Sequence, residues 1–129
     1  MNAIELPVAI SKIYSTMYDL GITATYVGFF HMSYAVYLAV QQPERLLLVT
    51  KWIYPDVAKQ YHTDWRNVER NIRTVAAIAW EHHPDTLSSI ARSGLERRPS
   101  NSQFIAILAF HVIFLSKDAI SQAIPPISA

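Results

Sequence analysis

The stretch from Tyr54 to Trp80 limits what this chain can fold into more than any other segment. It opens Tyr-Pro-Asp-Val-Ala-Lys-Gln-Tyr, turns through His62-Thr63-Asp64, and runs on through Trp-Arg-Asn-Val-Glu-Arg-Asn-Ile-Arg-Thr into an alanine-rich segment. At about 100° per residue, Trp65, Val68, Ile72, Val75, Ala76 and Ala79 share one arc, while Arg66, Asn67, Glu69, Arg70, Arg73 and Thr74 occupy the other. One side is expected to pack on a core and the other to carry long polar side chains outward. Pro55 suits the first turn of a short helix, and Thr63 or Asp64 suits the cap of the next one. This is the pattern of a helix-turn-helix whose second helix enters a DNA major groove. An amphipathic surface helix would show the same arcs, so periodicity alone leaves that reading open. Arg70 and Arg73 beside Glu69 add chemistry: arginine pairs bidentately with guanine, and glutamate accepts from the cytosine amine.

Around this unit the chain resembles a known family. Leu20-Gly-Ile22, Thr50 to Lys59, Val68 to Arg73, Ala79-Trp80, Asp85 to Ser89 and Pro99 to Ala106 occur in order. Together they are similar to the C-terminal DNA-binding effector domain of the response regulator that commits spore-forming bacteria to sporulation. The resemblance implies a sequence-specific transcription regulator reading a TGTCGAA-like box. It implies base reading by Glu69, Arg70 and Arg73, and double-stranded DNA and RNA polymerase sigma factor as partners. Lys59, Thr63, Arg66, Asn67, Thr74, Arg97 and Arg98 are the candidates for backbone or accessory contacts.

The chain departs from the family at several of these places. Asn67 stands where an arginine is usual, Arg66 where a small residue is usual, and Thr74 where a histidine is usual. Val27 and Ser33 replace basic residues. The Ile90-to-Arg98 loop, in the neighbourhood that engages sigma factor, is shorter. Phe110, His111 and Ile113 replace charged residues in the last helix, which makes Phe110, Ile113 and Phe114 a candidate subunit interface in a homodimer. No receiver domain is present between Met1 and the effector motifs, so the chain is expected to be either a free-standing effector or an excised piece. A second reading follows from the same departures: a non-DNA-binding or weakly binding partner protein that heterodimerises with a full-length homologous regulator and antagonises it.

The 129 residues allow one domain, expected over residues 1–120 with a flexible tail from 121 to 129. Breakers and periodicity predict an all-α, compact bundle of six to seven helices. The predicted helices run from about Pro7 to Leu20, Thr23 to Val40, Glu44 to Ile53, Pro55 to Tyr61, Asp64 to Trp80 and Asp85 to Ala91. A last one runs to about Ile120, capped by Asn101 or Ser102. The absence of cysteine fits a reducing cytoplasm and excludes disulfide or thiolate-metal frameworks. The apolar run Phe104 to Leu115, interrupted by His111, is too short to span a bilayer. Net charge is only +1, but nine of the eleven basic residues lie between Arg45 and Arg98. That footprint is modest and implies modest nonspecific affinity for a polyanion.

No phosphate-cradling glycine loop, nucleophile elbow or His-Glu-x-x-His helix is present. Glu81-His82-His83 reads as a helix end where imidazoles meet free carbonyls rather than as a metal site. His111 reads as a core or interface histidine. No enzyme, metal or cofactor is expected. The aromatic N-terminal third (Tyr14, Tyr18, Tyr26, Phe29, Phe30, Tyr34, Tyr37) reads as core, because it lacks the interleaved basic residues of a single-strand binder.

Overall fold

A computed structural model describes residues 6–123, with side-chain surroundings for residues 8–116. Seven α-helices and one 3₁₀ segment follow one another, with no strand among the described residues. They are α1 (Leu6–Asp19), α2 (Val27–Gln41), a 3₁₀ segment (Pro43–Leu48), α3 (Val49–Trp52), α4 (Tyr54–Gln60), α5 (Trp65–His82), α6 (Pro84–Ala91) and α7 (Asn101–Ala123). The all-α bundle expected from the sequence is therefore observed. α7 continues past the expected end near Ile120, and residues 124–129 of the expected tail lie outside the described residues.

α2 is the central element and packs most extensively on α5 and α7, then on α1. It buries Phe29, Met32, Ala35, Val36, Ala39 and Val40, so it is apolar on nearly every side. Its crossing with α5 depends on Gly28: a Cβ there would lie 2.3 Å from the Asn71 carbonyl oxygen and 2.7 Å from Val75 Cγ1. Val68, Ile72, Val75, Ala76 and Ala79 of α5 are fully buried against this crossing. Each large aliphatic among them contributes about 1.5–3 kcal/mol relative to exposure.

Three helix ends share one hydrogen-bond pattern. At the end of α1, the Ile22 N–H reaches the Met17 carbonyl (2.9 Å) and the Gly21 N–H reaches Tyr18 (2.9 Å). α4 and α6 close in the same way, through Thr63 N–H to Ala58 and Ser93 N–H to Ser88. This closure requires a left-handed residue, and Gly21 (φ 78), His62 (φ 56) and Arg92 (φ 60) supply it. Glycine is the unstrained choice, and only α1 uses it.

Three expectations need correction. α2 starts at Val27 rather than Thr23, because Thr23 and Thr25 pair through their hydroxyls (2.7 Å) and Tyr26 N–H turns back to the Thr23 carbonyl. Such local bonds compete with helix. The single helix expected from Glu44 to Ile53 is a 3₁₀ segment plus a short α-helix, broken at Leu48 (φ −145, ψ 76). Arg45 staples that broken segment: Nε donates to Gln42 Oε1, and Nη1 donates to the Trp52 carbonyl and the Asp56 carboxylate. Finally, α7 is capped by Ser100 rather than Asn101 or Ser102. Ser100 Oγ accepts from the Gln103 N–H while Gln103 Oε1 accepts from the Ser100 N–H. That is a reciprocal capping box, and the Ser-x-x-Gln pattern that announces it is present in the sequence.

Candidate nucleic-acid interface

The site is built on α4, the turn and α5. α4 ends at Gln60, and His62 in the left-handed region redirects the chain within one residue. Asp64 then caps α5, its Oδ1 accepting from the Asn67 N–H at 2.8 Å. Satisfying an orphan N–H in this way stabilises a helix start by about 1 kcal/mol. Thr63 serves beside it, its Oγ1 accepting from Asn67 Nδ2 at 2.8 Å. Both turn residues named from the sequence are thus engaged, and they fix α5 against α4.

Trp65 departs from the expected arc. It is the first residue of α5, it is 40% exposed, and the Arg66 guanidinium lies 5.3 Å from its ring centroid. The buried stripe starts one turn later at Val68.

Glu69, Arg70 and Arg73 project from the outer side of two adjacent turns, all at least partly exposed. Each arginine is held by an acceptor about one turn before it. Arg70 Nη2 donates to Asn67 Oδ1 at 2.5 Å, and Arg73 Nη2 meets Glu69 Oε1 at 2.9 Å. Arg73 and Glu69 side chains are 54% and 34% exposed, so this pair contributes only about 0.3–0.5 kcal/mol and releases readily to a better partner. Thr74 turns its hydroxyl back to the Arg70 carbonyl.

The α6–α7 loop reaches the same helix. Arg98, half-buried, donates from Nη2 to the Arg73 carbonyl at 3.1 Å, and Asn101 Nδ2 donates to the Glu69 carbonyl at 3.1 Å. Burial raises the Tyr54 pKa above its usual value, with the Asn101 side chain acting in the opposite direction. Asn101 therefore ties the start of α7 to α5, a role not read from the sequence. A shallow polar groove lined by Thr50, Tyr54, Glu69, Arg73, Arg98 and Ser102 runs along this junction. Lys59 and Arg97 are exposed, on α4 and in the loop respectively.

The remaining candidates lie elsewhere on α7. Phe110 is 42% exposed, Ile113 packs against the core, and Phe114 carries the Arg92 guanidinium 4.3 Å from its ring centroid. Burial lowers the His111 pKa, with Arg92 adding to the shift in the same direction. His31 is buried against α5 with Asn71 Nδ2 3.4 Å from Nδ1, and burial lowers its pKa too. His82 and His83 close α5, where the His83 N–H bonds the Ala79 carbonyl. Among the described residues no group of three or more His, Asp or Glu side chains could hold a metal ion, and no helix is long and apolar enough to cross a membrane.

The family model described as sporulation initiation factor Spo0A C terminal matches residues 13–112 of the 129. The chain belongs to this Spo0A C-terminal family. The family comprises DNA-binding effector domains, and the matched span contains α4, the turn, α5, the α6–α7 loop and the start of α7. Every residue assigned above to base or backbone contacts falls within it, as does Phe110. Ile113 and Phe114 lie just beyond its end.

Proposed function

We propose that this chain is a sequence-specific transcription regulator that reads double-stranded DNA with α5 in the major groove. The observation that carries this reading is the outer face of α5. Glu69, Arg70 and Arg73 sit on two adjacent turns of a helix whose opposite face is fully buried and whose first turn is capped from a tight turn. Arg70 and Arg73 would donate to guanine O6 and N7, and Glu69 would accept from a cytosine amine. The central C·G and G·C pairs of a TGTCGAA-like box suit that set. Lys59, Arg66, Arg97 and Arg98 would meet phosphates, with Thr63, Asn67 and Thr74 as accessories beside them. Two copies would act together, with Phe110 at the subunit contact and Ile113 and Phe114 supporting it.

The test is fluorescence anisotropy on a TGTCGAA duplex. Arg70→Ala and Arg73→Ala should each cost roughly 1–3 kcal/mol of binding while circular dichroism stays unchanged. The logarithmic salt slope should be shallow, on the order of −3 to −5 per domain, because few cations are available to neutralise phosphates. Unchanged affinity in both variants sinks the assignment.

One observation favours a second reading. Arg45, Arg73, Arg92 and Arg98 already have protein partners, which thins the positive surface. A partner protein that binds and antagonises a full-length regulator would need no more charge than this. No shift of the duplex together with a stable complex with such a regulator would select it.

A further inference from the structure

We infer that Asn67 is a positioning residue that sets base specificity through Arg70, and that Arg70 rather than Arg73 is the dominant guanine reader. This rests on the DNA-reading proposal and deepens it. The geometry is a relay of three side chains on one face. Thr63 Oγ1 accepts from Asn67 Nδ2 at 2.8 Å, and Asn67 Oδ1 accepts from Arg70 Nη2 at 2.5 Å. The orientation of the amide follows from its partners. A guanidinium only donates, so the group facing Arg70 must be the carbonyl oxygen; that leaves the NH₂ for Thr63. Thr63 is itself fixed by the turn, since its N–H bonds the Ala58 carbonyl at 2.9 Å. The position of the Arg70 guanidinium is thereby tied to the end of α4.

The two arginines differ in what holds them. Arg73 is held by the Glu69 carboxylate, which offsets its charge; Arg70 is held by a neutral amide, which fixes the fork and leaves the charge whole. One N–H of Arg70 is used by Asn67, and the remaining donors suffice for a bidentate contact. An ordered guanidinium also loses less side-chain freedom on binding, which is where the affinity gain arises.

The experiment uses the full chain and a set of TGTCGAA duplexes carrying each single base-pair substitution, with anisotropy as readout. Arg70→Ala first identifies the base pair whose discrimination it abolishes. Asn67→Ala should then reduce discrimination at that same pair roughly fivefold, the cost of ordering a free arginine side chain. In the Arg70→Ala background Asn67→Ala should have no further effect. Asn67→Asp keeps an acceptor but makes it a carboxylate that offsets the Arg70 charge, so it should lower discrimination at that pair as well as weaken binding to every duplex through its added negative charge. A purely structural role for Asn67 would instead weaken all duplexes equally in Asn67→Ala. That outcome overturns the inference, as does a loss that persists undiminished in the Arg70→Ala background or falls at another pair, where Asn67 would be reading the base itself. If Arg70→Ala and Arg73→Ala both leave binding unchanged, the DNA-reading proposal fails and this inference falls with it; if only Arg70→Ala does so, the inference alone fails. If Arg70 matters and Asn67 does not, only the inference fails.

Discussion

The molecule uses one design twice, and the two copies present different outer faces. α4 and α5 form a short helix, a left-handed closure at His62 and a long helix capped by its own N-terminal side chain, Asp64. α6 and α7 repeat the scheme, with the closure at Arg92 and the cap at Ser100. The first pair is joined by residues 61–64, the second by 92–100. The short connection makes one rigid unit of α4 and α5. The longer one travels far enough to lay Arg98 and Asn101 against the backbone of α5. The outer faces differ as much. α5 turns out charged side chains that already hold one another, whereas α7 turns out Phe110 and Leu115, 42% and 37% exposed. A polar outer face that is satisfied internally can exchange its partners for base edges at little cost. An apolar outer face gains only by being covered. On the reading proposed above, the first region would read DNA and the second would be joined to a second copy.

The largest expected effect tests whether these regions are one cooperative body. Ile72 on α5 and Leu108 on α7 are both essentially fully buried. Ile72→Ala and Leu108→Ala should each cost about 2–5 kcal/mol. Urea denaturation followed by circular dichroism should show a single transition for both variants, shifted by comparable amounts. Two transitions in either would separate the regions and break the comparison.

A smaller effect distinguishes joining from reading. Ile113 packs against the core, so a charge there destabilises the monomer and tells nothing about assembly. Phe110 is the cleaner probe. Phe110→Lys should cost folding stability about 0.5–1.5 kcal/mol through the lost ring contact with Phe114, less than a core substitution. It should also weaken self-association, and with it binding to tandem boxes, by roughly 1–2 kcal/mol. Sedimentation at micromolar concentration checks this. A wild-type chain that sediments cleanly as a monomer defeats the interface, and α7 would then simply carry an uncovered ring.

The same contrast explains what the sequence reveals. α5 is legible because Val68 and Ile72 alternate with Arg66, Glu69, Arg70 and Arg73, and each half of that contrast points one way. α7 has no such contrast: Phe104, Ile105, Leu108 and Val112 are buried while Phe110 is exposed, and nothing in their chemistry separates them. The face of α7 is chosen chiefly by α2, which lies far away in sequence. The 3₁₀ segment hides for a related reason. Leu46-Leu-Leu48 reads as helix core, but only Leu46 packs on the core while Leu47 is 78% exposed. Candidate contacts on α5 could be named in advance because they share one helix face. The Asn101 and Arg98 contacts could not, because they depend on how α7 approaches α5. The closures at His62 and Arg92 were hidden because glycine normally marks that conformation, and neither is glycine.

Those two closures provide the finest test. A Cβ in the left-handed region costs about 1 kcal/mol, and glycine removes the strain at the expense of greater freedom in the unfolded chain. His62→Gly should therefore raise stability by a few tenths of a kcal/mol, up to about 0.5, and leave the Thr63–Asn67 contact in place. Arg92→Gly gains the same relief but loses the guanidinium over Phe114, a contact worth about 0.5–1 kcal/mol at an exposed site. It should come out neutral or slightly destabilised. Thermal unfolding of the two variants beside the wild type gives the comparison directly. Equal gains would mean that the Arg92–Phe114 stacking contributes nothing, and that Phe114 is as open to a second subunit as Phe110. Unequal gains, with His62→Gly ahead, would mean that Arg92 already covers Phe114 and that the joining surface narrows to Phe110 and its neighbours.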